Sequence, residues 1–67
     1  MVKVIILPDG NEVSIRLSRP VRLINVLKEL GFNPEGVVAL RGDELITEDD
    51  VVSDGDLLKL IKVGSFG

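Results

Sequence analysis

The first half of the chain shows two different hydrophobic periods. Residues 2–7 are rich in β-branched residues, and residues 12–17 alternate apolar and polar side chains, which predicts two strands. The Pro8-Asp-Gly-Asn segment between them predicts a hairpin turn in which Gly10 adopts a positive φ. In residues 23–30 apolar side chains recur every three or four positions, which predicts one short amphipathic helix that stops at Gly31.

The second half predicts three more strands, at residues 37–41, 44–46 and 57–63. The Thr47-x-x-Asp50 pattern between the last two predicts a capped turn and one loose helical turn that ends before Asp54. Asp54-Gly55-Asp56 then predicts a tight turn. The first and last strands are apolar on both faces, so we expect them to pair in parallel at the centre of a sheet.

This order of elements predicts an α+β layer. A helix of roughly ten residues is not stable alone in water, so it must pack across one face of the sheet. Residues 1–63 are then one domain. We expect residues 64–67 to be a flexible C-terminal tail, because nothing obvious in the sequence ties them down.

Composition excludes several classes of function. The chain has 67 residues, no Cys and no His, so disulfides are impossible and a zinc site is not expected. It is too small for a core and a deep catalytic cleft. A net charge of −3 disfavours nucleic acid as a partner. The acidic residues between 48 and 56 lack the spacing of a calcium loop, and we interpret them as capping and solubilising groups.

The N-terminal segment lacks the features of a signal peptide, and no stretch is long enough to span a membrane. We therefore expect a cytoplasmic protein that is soluble, does not bind membranes and is a monomer when free.

Three segments of the chain resemble a known protein family. The Leu-x-x-Val-Leu-x-x-Leu-Gly-Phe segment, the Asp54-Gly55-Asp56 turn and an apolar strand running to a terminal glycine are similar to the sulfur carriers of the ThiS and MoaD type and to related archaeal ubiquitin-like modifiers. The resemblance covers essentially the whole chain. It implies a β-grasp (ubiquitin-like) mixed sheet of four to five strands with one helix packed across one face.

The resemblance also implies a chemical role for the C-terminus. A partner enzyme of the ThiF or MoeB type would use ATP to adenylate the Gly67 carboxylate, and Gly64, Ser65 and Phe66 would enter that enzyme. The product would be a thiocarboxylate that gives its sulfur to a downstream synthase in thiamin, molybdopterin or tRNA-thiolation pathways. This chain would then be a carrier and co-substrate, with no catalytic residue and no bound metal or cofactor of its own.

Two alternatives remain open at this stage. The same activation could join Gly67 to lysines of other proteins, or the chain could be a β-grasp interaction module that is never activated. Phe66 bears on the choice, because the family typically has glycine there and a ring beside the reacting carbonyl would not fit a narrow channel. Either the partner has a wider channel, or the chain is not activated, or its natural end differs.

A second candidate site is the sheet face away from the helix. We expect it to expose apolar residues and cations beside the tail, which usually marks a partner-docking surface. The predicted docking residues are Ile5, Leu57, Lys59, Ile61 and Val63, with Lys3 and Lys62 nearby. The alternative is that loops or a dimer mate cover this face.

Overall fold

The computed structural model describes residues 1–63, which form one helix and seven strands. In chain order they are β1 (Val2–Leu7), β2 (Asn11–Ile15), β3 (Val21–Arg22), α1 (Leu23–Leu30), β4 (Val37–Arg41), β5 (Glu44–Ile46), β6 (Val51–Val52) and β7 (Leu57–Lys62), with a 3-10 turn at Pro34–Gly36 before β4. In this part of the chain no helix is long and apolar enough to cross a membrane.

Five strands form one mixed sheet in the order β2-β1-β7-β4-β5. The central pair, β1 and β7, is parallel, and Val4 lies opposite Leu58. The other neighbours in this sheet are antiparallel. The predicted parallel pairing of the first and last strands is therefore confirmed, and so is the β-grasp arrangement of a mixed sheet with one helix.

The core lies between α1 and one face of this sheet. Because side chains alternate along a strand, every second residue of β1 and β7 points toward the helix. The helix contributes a stripe at the predicted spacing, and it ends at Gly31, whose φ of 82° is left-handed. The most buried members of the core are Val2, Val4, Leu23, Leu27, Val52, Leu58 and Leu60.

The segment before β6 differs from the prediction of a loose helical turn. Thr47 does begin a tight turn, but the Asp50 carboxylate accepts a hydrogen bond from the Thr47 backbone N–H at 2.8 Å, and no helix follows. The backbone carbonyls of this turn instead accept from the start of α1, at 2.8 Å from Leu23 N to Asp50 O and 3.0 Å from Ile24 N to Glu48 O. The turn thus satisfies helix N–H groups that have no partner within the helix.

Two short strands were absent from the sequence prediction. In β6, Val52 lies opposite Val21 of β3, and the two strands form a separate antiparallel ribbon. The ribbon holds the Thr47 turn against the start of the helix. The predicted strand at residues 12–17 is also shorter, because β2 ends at Ile15, although Leu17 still packs against the core.

The turn before β7 sets the parallel register. Gly55 has a φ of 97°, a conformation that glycine adopts without strain, and its N–H donates to the carbonyl of Met1 at 3.1 Å. One step further, the N–H of Lys3 donates to the carbonyl of Asp56 at 3.1 Å. The Met1 ammonium also lies 2.6 Å from the Asp54 carboxylate. The start of β1 is therefore fixed directly beside the start of β7.

The buried side of β7 allows a test of the core. Leu58→Ala should lower the free energy of unfolding by about 2 to 5 kcal/mol, because it leaves a cavity in a fully packed site. Leu45→Ala is the matched control, because Leu45 is 66% exposed and its truncation should change that free energy by less than about 0.5 kcal/mol. Urea unfolding measures both, and equal losses would contradict the assignment of the core.

The ion pair at the N-terminus predicts a pH dependence. The hydrogen bond from the Met1 ammonium lowers the pKa of Asp54 below its ordinary value. A carboxyl with a lower pKa in the folded state adds stability above its unfolded-state pKa of about 3.9, and this contribution is lost as the pH falls through the folded-state pKa.

Asp54→Asn should therefore reduce the free energy of unfolding near neutral pH, and its difference from the unsubstituted protein should shrink in acid. Urea unfolding across a pH series measures this. Asp49→Asn is the control, since Asp49 makes no ion pair within residues 1–63. A deficit of the Asp54 variant that stays constant in acid would contradict the assignment.

Candidate functional site: the tail root and the outer face

The tail leaves from the central strand of the five-stranded sheet. β7 has neighbours on both sides, and beyond its last residue Val63 N donates to the Gly36 carbonyl at 3.0 Å. On the other side, Lys62 Nζ lies 2.9 Å from Asp9 Oδ2 in the β1–β2 turn. The position from which the tail starts, Val63, is therefore fixed by contacts on both flanks, and we call it the tail root. The predicted acyl site Gly67 and the predicted tail residues Gly64, Ser65 and Phe66 lie outside the described residues.

A groove lies beside this point, and we call it the tail groove. It runs between the 3-10 turn and the end of β7, has a volume of about 460 Å³, and is more apolar than polar. The lining residues are Phe32, Asn33, Glu35, Gly36, Val37, Lys62 and Val63.

The sheet face opposite the helix brings together the residues predicted for docking. Lys59 of β7 lies between Ile5 of β1 and Leu40 of β4 in the strand register. Leu57 and Ile61 are two positions away along β7 and therefore project from the same face. Val63 follows in the same alternation at the tail root and is 39% exposed, as is Leu57.

This outer face is larger than the sequence predicted. Leu7 of β1 and Val38 of β4 both lie opposite Ile61 of β7 in the strand register. Leu40 of β4 lies opposite Leu45 of β5. These additional apolar residues extend the face across β4 to the edge strand β5. The outer face, as used below, consists of Lys3, Ile5, Leu7, Val38, Leu40, Leu45, Leu57, Lys59, Ile61 and Val63.

A signal for the missed residues was present in the sequence. Residues 37–40 are apolar on both faces of β4, which predicts a strand away from the sheet edge. The signal does not state which strand lies beside β4, and only the register with β7 places Val38 and Leu40 on the outer face.

Two lysines and one carboxylate project from this side of the sheet, because Glu12 lies opposite Ile5 in the register. Lys59 is half-buried at its centre, and Lys3 lies 3.8 Å from Glu12 of β2. Lys62 does not belong to this group, contrary to the sequence prediction. The Lys62 side chain projects from the helix side of β7, as those of Leu58 and Leu60 do, because side chains alternate along a strand. There it pairs with Asp9.

The site is a surface and an attachment point for the tail. Residues 1–63 contain no group of three carboxylate, His or Cys side chains placed to hold a metal ion. The sequence has no His or Cys at all. The arrangement offers a binding face and a fixed exit for the tail.

Comparison with known proteins decides the family. No family model matches the chain. The chain is, however, 48% identical over 61 residues to the sulfur carrier protein TtuB of Thermus thermophilus, and the match covers 91% of both chains. The chain belongs to the sulfur carrier family of the ThiS and MoaD type. As a sulfur carrier it is a protein acted on by others and not an enzyme, and a carrier requires an activating or sulfur-transferring partner.

Proposed function

We propose that the Gly67 carboxylate of this carrier is activated with ATP and converted to a thiocarboxylate. In the first step a carboxylate oxygen attacks the α-phosphorus of ATP. A C–O–P linkage forms, the bond between the α- and β-phosphates breaks, and pyrophosphate leaves. This step is needed because a carboxylate is a poor acyl donor until its oxygen becomes part of a leaving group.

In the second step a reduced sulfur nucleophile, sulfide or a persulfide of the partner, adds to the acyl carbon. The C–S bond forms, the C–O bond to the phosphate breaks, and AMP leaves. A sulfide gives the thiocarboxylate directly. A persulfide gives an acyl disulfide, which a thiol then reduces at the S–S bond, so that the thiocarboxylate remains on Gly67 and the thiol becomes oxidised.

The observation that carries this proposal is the 48% identity with a protein named as a sulfur carrier. The fixed tail root supports it. An enzyme that works on the tail needs the carrier held in one orientation, and correct positioning of reacting groups accounts for a large part of catalysis. A tail that starts from the central strand gives the enzyme a fixed starting point, and the acyl carbon is at most four residues beyond it.

The outer face is our candidate for the surface that docks on the activating enzyme. It is apolar at its centre and carries Lys3 and Lys59 on a chain whose net charge is −3. A complementary partner surface would be apolar with a carboxylate facing Lys59, because complementary charges favour specific docking. Lys3 already lies beside Glu12 of its own chain. The enzyme channel would also have to accept the Phe66 ring.

The acceptor of the sulfur is the remaining part of the proposal. Thiamin, molybdopterin and tRNA-thiolation pathways use the same activated terminus, and we expect the reaction to take place in the cytoplasm. The alternative of a ubiquitin-like modifier shares the adenylation step and differs only in the acceptor, which is then a lysine of another protein.

The decisive test is the intact mass of the carrier isolated from its own cells, with fragmentation of its C-terminal peptide. We expect a fraction in which sulfur replaces one oxygen on Gly67. An amide between Gly67 and a lysine would favour the modifier instead. An unmodified Gly67 without conjugates, even in cells starved of sulfur acceptors, would overturn the proposed function.

Docking through the outer face predicts a selective kinetic defect. Leu57→Ser should raise the KM for the carrier in ATP-dependent pyrophosphate release by about tenfold, because removing an exposed apolar contact of an interface weakens binding. The kcat should change little, since the reacting group is unaltered.

Val51→Ser is the matched control for this experiment. Val51 is 49% exposed, so both substitutions remove an exposed apolar side chain, but β6 lies outside the five-stranded sheet. Equal KM values for the two variants would exclude the outer face as the docking site.

A further inference from the structure

The open edge of β5 is used neither by the fold nor by the proposed chemistry. β5 ends the five-stranded sheet, and within residues 1–63 no strand lies on its other side. Edge strands are commonly protected from pairing with another chain by Lys, Pro or a bulge. Glu44–Ile46 contains neither Lys nor Pro, and Leu45 at its centre is 66% exposed. This edge is therefore suited to accept a further strand.

Two hydrogen bonds show how the main chain of β4 is oriented. Just after β4, the Gly42 N–H donates to the Leu57 carbonyl at 3.2 Å, and just before it, the Gly36 carbonyl accepts from the Val63 N–H at 3.0 Å. Both donors and acceptors lie along β7. Main-chain groups alternate in direction along an antiparallel strand, so the even-numbered positions of β4 face β7 and the odd-numbered positions face β5.

This alternation directs the main chain of Leu45 to the open edge. Ala39 and Arg41 are the odd-numbered residues that face β5, and their partners there are Ile46 and Glu44. Ile46 and Glu44 therefore point their N–H and C=O groups back toward β4. Leu45 lies between them and points its N–H and C=O away from the sheet, where an added strand would meet them.

A groove runs beside this edge on the helix side of the sheet, and we call it the edge groove. Its volume is about 200 Å³, less than half that of the tail groove, which suits a single aliphatic side chain. Its walls come mainly from core side chains. The lining residues are Leu23 and Leu27 of α1, residues 34 and 37–39, and residues 45–48.

Carboxylates lie at both ends of this site. Glu44 projects from the helix side of β5, as Ile46 does, and its side chain is 70% exposed although it lies 3.5 Å from Arg41. Glu48 lines the edge groove and makes no ion pair within residues 1–63. A complementary segment would carry a cation, an aliphatic residue and a second cation at alternate positions.

We propose that β5 and the edge groove bind an extended segment of a partner protein by strand addition. The residue opposite Leu45 exchanges N–H···O bonds with it, which gives affinity without regard to side chain. The residue opposite Ile46 places an aliphatic side chain in the edge groove, and cations two positions to either side face Glu44 and Glu48. This binding involves the folded domain alone, so it goes beyond the activation of Gly67 and does not depend on it.

The probe is the acetylated and amidated peptide Thr-Lys-Ile-Val-Ile-Lys-Thr, titrated into the free carrier and followed by NMR. We expect amide shifts centred on Leu45 and Ile46, and slower hydrogen exchange of the Leu45 N–H. Methylating both isoleucine nitrogens should lower the affinity by about tenfold or more, because it removes the main-chain donor that faces β5. Methylating the valine nitrogen is the matched control, since that nitrogen faces away from the sheet, and it should leave binding intact.

Two carrier variants test the same contact from the other side. Leu45→Pro removes a main-chain donor that the sheet does not use, a position that edge strands tolerate, and it should abolish binding. Leu45→Ala keeps this donor and should retain most of the affinity. The peptide series tests the proposal independently if the proline variant does not fold.

No binding of the unmodified peptide at millimolar concentration would overturn the proposal. Equal affinity of the two methylated peptides would also overturn it, as would shifts centred on β2 or on the middle of the outer face. Protection of the Leu45 N–H that appears without peptide and grows with carrier concentration would assign the edge to a second copy instead. None of these measurements uses ATP or an enzyme, so the proposed function can fail separately.

Discussion

The parallel pairing of β1 with β7 is the interaction on which the rest of the structure depends. Both strands are apolar on both faces, so one face can meet the helix while the other remains available for contact outside the domain. The turn around Gly55 fixes the register of this pair through the backbone of Met1. A slip by one residue would turn Leu58 and Leu60 away from the helix and remove them from the core.

Much of the fold is encoded in short-range patterns. The helix, the hairpin turn and the stop at Gly31 follow from period and turn chemistry, and the two-faced apolar strands identify the centre of the sheet. The Thr47 turn shows where such reasoning fails. Its sequence resembles a helix start, but its carbonyls are used by the beginning of α1, more than twenty residues earlier in the chain. A contact of that range leaves no local pattern.

The residues of the outer face also divide into those that a local pattern predicts and those that it does not. Alternation within β1 and β7 is a local property, and it assigns Ile5, Leu57 and Ile61 to one face. Leu40 and Leu45 join them only because β4 lies beside β7, which is a matter of sheet order. The prediction that Lys62 lies on the outer face was wrong for a different reason. Its positive charge grouped it with Lys3 and Lys59, whereas strict alternation along β7 assigns it to the helix side.

The direction of β1 and β7 also has a mechanical consequence. The N-terminus lies at the start of β1, and the tail leaves from the far end of the parallel strand β7. A force that pulls the two ends of the domain apart therefore loads the two strands along their axes in opposite directions. Their hydrogen bonds share that load at once, whereas in a hairpin they would open one after another. A machine that unfolds proteins by pulling on the tail while the N-terminus is anchored would meet its greatest resistance at the first step.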